Sequence, residues 1–177
     1  MKIVLSGLGI LVVLAVAGCL VFALLVPAGD VTHFACASPA ETRFPPAWGF
    51  DLMRLRGIDP NASAGLPGSP MKVVFGVASD TDWERVRPIA DWLIARGGDV
   101  NRPVYGGGFH PIHEAVTSIS EVRLRYLLDH GADLRLKMSP PSPGRTPLDL
   151  AQWLMERNPA LTPKLKPLVV LLKERTR

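Results

Sequence analysis

The chain has 177 residues, and once an apolar N-terminal stretch is set aside about 140 remain, enough for one domain with a continuous core. Its net charge of +4, from 20 basic and 16 acidic residues, is too small and too interspersed to demand nucleic acid as a partner. The two cysteines, Cys19 and Cys36, have neither CxxC nor zinc-type spacing, which excludes a disulfide-stapled or zinc-held scaffold.

From Ile3 to Ala28 the sequence IVLSGLGILVVLAVAGCLVFALLVPA carries no charge. About 20 apolar residues cross a bilayer, so residues 1–28 are expected to form a transmembrane signal anchor. Two other readings stay open. Val16-Ala17-Gly18-Cys19 resembles a bacterial lipobox, which would make Cys19 a lipidated N-terminus, although Leu20 to Val26 then stands where a polar tether belongs. Cleavage near Val26-Pro27-Ala28 would make a signal peptide, with an apolar core longer than the usual 7–15 or so residues. Lys2 and the α-amino group precede the span, and Arg43 is the one basic residue soon after it. That balance puts the N-terminus inside and the remainder on the periplasmic or extracellular side.

Residues 29–37 read as a tether. Ser38-Pro39-Ala40-Glu41 has capping-box spacing, Pro45-Pro46 can open a helix, and residues 47–56 form a helix with Trp48, Leu52 and Leu55 towards the core. The Gly/Pro/Ser stretch 61–70 is a loop. Asn61-Ala62-Ser63 is formally a glycosylation acceptor, but Asn61 reads better as the end of a turn. Next comes a helix over Met71 to Ala78, then a polar connection Ser79-Asp80-Thr81-Asp82. A second, longer helix follows with Ile89, Trp92, Leu93 and Ile94, bent at Pro88. The loop Arg102 to Phe109, RPVYGGGF, lacks the layout of a phosphate-cradling loop and no strand precedes it.

His110 to Leu134 is the most regular stretch. Pro111 opens a helix that ends at Ser118-Ile119-Ser120. Glu121 starts another, with Leu124, Leu127 and Leu128 on one face, and Gly131 stops it. Arg135 to Arg145, RLKMSPPSPGR, is a proline-rich loop. Thr146 and Pro147 open the next helix with Leu148, Ala151 and Leu154, and a last helix, Thr162 to Arg175, carries Leu168, Leu171 and Leu172. Pro167 there echoes Pro88. Arg157, Lys164, Lys166, Lys173, Arg175 and Arg177 make this end basic, as a solvated capping face or, alternatively, a surface for anionic lipid or an acidic partner.

These marks recur. Gly57-Ile58-Asp59-Pro60-Asn61, Gly97-Gly98-Asp99-Val100-Asn101 and Gly131-Ala132-Asp133 share one pattern. Ser69-Pro70-Met71-Lys72, His110-Pro111-Ile112-His113 and Thr146-Pro147-Leu148-Asp149 share another, at spacings of 34 to 41 residues. With its TPLH-like helix starts, paired short helices and GADVN-like turns, the chain over residues 38–175 resembles the ankyrin repeat family. The resemblance implies an all-α, ankyrin-type solenoid of helix-turn-helix repeats, preceded by the N-terminal transmembrane helix. The repeats, within residues 38–177, would fall at about 38–61 (partial), 69–101, 110–134 and 146–175. It implies further that His113 bonds backbone groups between repeats, and that the loops project as fingers. On that basis the candidate contacts for a protein partner are Arg102, Val104, Tyr105, Phe109, Leu136 and Met138, taken as exposed finger residues.

Chemistry is sparse. His110 and His113 lie at i, i+3 beside Glu114, but zinc takes three or four ligands and only Asp129 and His130 stand in the same repeat, at its far end. No nucleophile elbow, HExxH or catalytic cysteine context occurs. The expected function is therefore non-catalytic: a membrane-tethered protein–protein interaction module, with no metal, no cofactor, no small-molecule substrate and no nucleic acid. The alternatives are an immunity-type inhibitor of an envelope toxin and a metal-dependent enzyme built on His110 and His113.

Overall fold

Prolines and hydroxyl side chains start the helices described below, and left-handed residues end three of them. The computed structural model describes residues 50–51, 53–55, 57–61, 70–76, 79–104, 108–138 and 144–176, and among them every regular element is helical. In chain order these are α1 (Pro70–Phe75), α2 (Asp80–Ile94), α3 (Pro111–Thr117), α4 (Glu121–Asp129), α5 (Pro147–Arg157) and α6 (Thr162–Thr176). A 3₁₀ turn, Pro159–Leu161, precedes α6. The expected membrane segment with Cys19, the tether, and Trp48 and Leu52 of the partial repeat lie outside the described residues. Among the described residues no helix is long and apolar enough to cross a membrane.

Pro70, Pro111 and Pro147 occupy first helical positions, where the missing N–H costs nothing. Ser120 Oγ accepts the Arg123 N–H at 3.2 Å. Thr146 and Asp149 exchange side-chain-to-backbone bonds in a full capping box. Ser79 Oγ accepts the Asp82 N–H at 3.1 Å, so Ser79 to Asp82 is the capped start of α2 rather than a connection, and α1 stops at Phe75. The two helices with an interior proline, α2 and α6, run 15 residues against nine for α4, and each continues through that proline, Pro88 or Pro167. Pro88 and Glu84 are exposed, so the carbonyl deprived of its partner faces water.

Gly97 and Gly131 take φ of 85° and 83°, which a side chain resists, and close α2 and α4. After α4, the Gly131 N–H bonds Leu128 O at 3.2 Å and the Ala132 N–H bonds Leu127 O at 2.9 Å. The α3–α4 turn uses the same closure with a β-branched residue. Ile119 sits at φ 54°, its N–H on Val116 O at 3.1 Å and the Ser120 N–H on Ala115 O at 2.9 Å. Left-handed backbone costs an L-residue about 1–2 kcal/mol. The packing of Ile119 against the core offsets it.

The helices stand in two rows. α1, α3 and α5 touch in succession, as do α2, α4 and α6, and each member of the first row packs on its successor in the chain. One core runs between the rows, from Met71, Val74 and Phe75 through Ile112, Val116, Leu124 and Leu127 to Leu150, Leu165, Leu168 and Leu172. Its largest member is the fully buried Trp83, stacked on Phe75 at 5.6 Å and meeting Tyr126 edge-on at 4.8 Å. Leu55, expected in the core, is 73% exposed. Met53 takes the inward place, because Phe50 and Met53 share the face turned to Trp92, and two residues further on the chain points away. In α5 Leu150 is buried more deeply than Leu148 or Leu154.

Two sets of polar contacts tie successive pairs. Asn61 Nδ2 donates to Gly97 O at 2.7 Å, and its Oδ1 accepts the Asp99 N–H at 2.9 Å. One turn on, Asn101 Nδ2 donates to Gly131 O at 3.1 Å and its Oδ1 accepts the Asp133 N–H at 2.8 Å. The second set centres on Arg123, which fills an apolar-stripe position with Ser120, Leu124 and Leu127 and is 1% exposed. Its Nη1 donates to Phe75 O at 3.1 Å, and its Nε lies 3.9 Å from Asp80 Oδ1, which also accepts the Ser120 hydroxyl. Phe75 is the last residue of α1 and Asp80 the first of α2, so the guanidinium meets the negative end of one helix and a carboxylate at the positive end of the next. Replacing Arg123 by Met strands the Phe75 carbonyl. Because Asp80 is half-exposed, the expected loss is about 2–3 kcal/mol in urea unfolding, below the full cost of breaking a buried pair. A loss under about 0.5 kcal/mol, typical of surface sites, would contradict this placement.

Candidate functional site

The loops that separate the helix pairs are the expected contact region, and the described residues at their two ends are bonded to each other. The Val104 N–H donates to Phe109 O at 2.8 Å, and the Met138 N–H donates to Arg145 O at 3.1 Å. These closures turn two candidate residues inward: Val104 is 7% exposed and Met138 6%, both within the core. Phe109 is half-buried, packed on the core with its ring 5.8 Å from that of His113. Arg102 and Leu136 are half-exposed, and Tyr105 lies outside the described residues. An apolar residue in a loop over a helical core can cover that core, and Val104 and Met138 are buried in this way rather than exposed.

His110 and His113 face each other with ring centres 5.6 Å apart. A carbonyl can only accept, so the 2.7 Å contact of His110 Nδ1 with Asn101 O makes Nδ1 the protonated nitrogen. In the same way His113 Nε2 donates to Arg145 O at 3.2 Å, across the boundary between the second and third helix pairs, α3–α4 and α5–α6. His113 is fully buried, and its Nδ1 has no hydrogen-bond partner among the described residues. Burial lowers its pKa to about 4, against a smaller opposing effect of the Arg145 carbonyl, and the neighbouring His110 lowers it further. Each imidazole thus commits one nitrogen to a backbone carbonyl. Among the described residues no group of three or more His, Cys, Asp or Glu is gathered in metal-binding reach.

A different arrangement, not singled out from sequence, lies on α5. Trp153 is half-buried, with the Arg145 guanidinium carbon 4.4 Å from its ring centre and that of Arg157 at 5.4 Å. Arg157 sits four residues on, one helical turn along the same face, while Arg145 comes from the preceding loop, where its carbonyl is held by His113 and Met138. Neither guanidinium has an ion-pair partner among the described residues. The nearby Asp149 carboxylate accepts the Thr146 backbone and hydroxyl, which with Lys137 and Arg145 keeps its pKa low. The i, i+4 pairing of Trp153 with Arg157 was visible in the sequence. The approach of Arg145 depends on how the proline-rich loop closes.

The charge distribution points to the same end. Residues 145–177 hold seven Lys and Arg against three Asp and Glu, which is the whole net charge of the chain. No family model matches this chain, and no curated protein matches it as a relative.

The buried His113 makes stability depend on pH in a defined sense. Below pH 6.5 the unfolded imidazole takes up a proton that the folded one refuses until about pH 4. Stability is therefore lost as pH falls through that window, by on the order of 3 kcal/mol if fully expressed. A His113→Gln variant, which can still donate to Arg145 O, should show a flatter stability–pH curve between pH 6.5 and 4. Parallel curves for the two proteins would contradict the buried, neutral imidazole.

Proposed function

We propose that the chain is a membrane-tethered ankyrin-type repeat protein, non-catalytic, whose helix pairs form a solenoid that binds another protein. The observation that carries this reading is the repeated rung, in which Asn61 and Asn101 each clamp the Gly-x-Asp turn of the following unit through one donor and one acceptor. Such a rung, made twice, repeats one relation between successive units, as expected of an extended stack in which each unit contacts its neighbours. Two rows of helices with alternating contacts, and a His113 bond that crosses a repeat boundary, support the same reading. The uncharged stretch Ile3 to Ala28 supports the tether, and the charge balance around it supports a repeat domain on the periplasmic or extracellular side.

Repeat stacks take their specificity from surface side chains, so the fold alone names no partner. Photo-crosslinking amino acids placed in the full-length chain test the assignment. Substituted at Arg102 and Lys137, on the loop edge, they should yield one discrete adduct in cells. At Glu84 and Arg87, exposed on the other row, they should yield none. Equal adducts from all four positions, or none from any, would count against a dedicated partner.

A further inference from the structure

We propose that the Arg145–Trp153–Arg157 cluster is the anchor point for an acidic protein segment, one that presents Asp or Glu side chains to the two guanidinium groups. The proposal rests on the protein-binding reading above and names the chemistry of the partner.

Three observations converge on it. First, both guanidinium groups lie against one half-buried indole, at 4.4 and 5.4 Å, and neither is ion-paired among the described residues, so their N–H forks remain available. The planar fork matches a carboxylate bidentately, and stacking on an aromatic ring fixes it beforehand, which reduces the ordering cost of binding. Secondly, Trp and Arg are the residue types that most often dominate binding energy at protein interfaces. Thirdly, the unit that carries the cluster holds the entire net charge of the chain, with Lys164, Lys166 and Lys173 exposed on α6, so its field draws an acidic surface towards it. A membrane surface fits less well. The Trp153 ring is partly covered by cations and by the core, and so has little apolar face to insert among lipids.

The test uses the full-length chain in nanodiscs of zwitterionic lipid, labelled with 5-fluorotryptophan, with the Trp153 fluorine signal assigned through Trp153→Phe. The probe is a synthetic peptide of alternating Glu and Leu, with its Gln-for-Glu counterpart as the neutral control. The acidic peptide is expected to move the Trp153 signal and the neutral one to leave it in place. Arg145→Gln/Arg157→Gln should weaken binding by about tenfold or more at an unchanged melting temperature. Arg145→Lys/Arg157→Lys, which keeps the charge without the fork, should recover only part of it. An unmoved Trp153 signal, or binding unaffected by the double substitution, would overturn the proposal. So would an equal response to inorganic phosphate at matched charge, which would make the cluster a simple anion site, and so would a response seen only with anionic lipid. If crosslinking finds a partner whose binding ignores these three residues, the protein-binding reading stands and this inference alone fails.

Discussion

Two primary amides, Asn61 and Asn101, set the register between successive turns of this structure. A helix end leaves carbonyls without partners, and the turn after it leaves an N–H in the same position. Asn is short enough to stay in the turn and has one donor arm and one acceptor arm, so Asn61 and Asn101 each satisfy both groups of the neighbouring turn at once. Asp in the same place could not donate to Gly97 O or Gly131 O. Each rung also needs its own turn held still. The Asn61 N–H therefore bonds Asp59 Oδ1 at 2.9 Å, and the Asn101 N–H bonds Asp99 Oδ1 at 2.8 Å.

The ladder stops at a definite residue. In the third turn Arg135 occupies the Asn position. Its backbone keeps the local bond to Asp133, and its side chain folds back on the same carboxylate at 3.0 Å. The last helix pair is joined by other means: the His113 bond to Arg145 O, an exposed Arg175–Asp129 pair at 2.7 Å, and apolar packing of α3 on α5 and α4 on α6. The N-terminal boundary is firmer, with Arg123, Ser120 and Asp80 knotted around the end of α1 and the Phe75–Trp83–Tyr126 cluster beside them. Tyr126 belongs to that knot through its hydroxyl, which donates to Asp91 Oδ1 at 2.7 Å; burial together with that carboxylate raises its pKa.

What could be read from sequence follows from how local each cause is. Pro at a helix start, Thr146 with Asp149, and Gly131 at a helix end act within a few residues, and those boundaries were legible. So was the Gly-x-Asp-x-Asn recurrence, though not that its last Asn reaches the next copy some 30 residues away. Charge suggests exposure for Arg123, whereas its place in the stripe with Leu124 and Leu127 marks it as buried. Ile119 gave no sign of a left-handed backbone, since residue type argues against it. Their place in loops points Val104 and Met138 outward, but each is bonded through its backbone N–H to the far end of its loop and is buried. The Trp153 cluster needed Arg145 from a loop whose path no periodicity describes.

The Asn ladder is absent at the end where the charge is concentrated, and the bonded N-terminal units support that end. The Asn rungs, and not packing alone, fix one unit on the next. Amide hydrogen exchange of the native state in an Asn101→Ala variant tests this directly, because the Asp133 N–H is bonded to Asn101 and the Asp99 N–H to Asn61. The predicted result is a loss of protection at Asp133 with Asp99 still protected. Unchanged exchange at Asp133 would contradict the account.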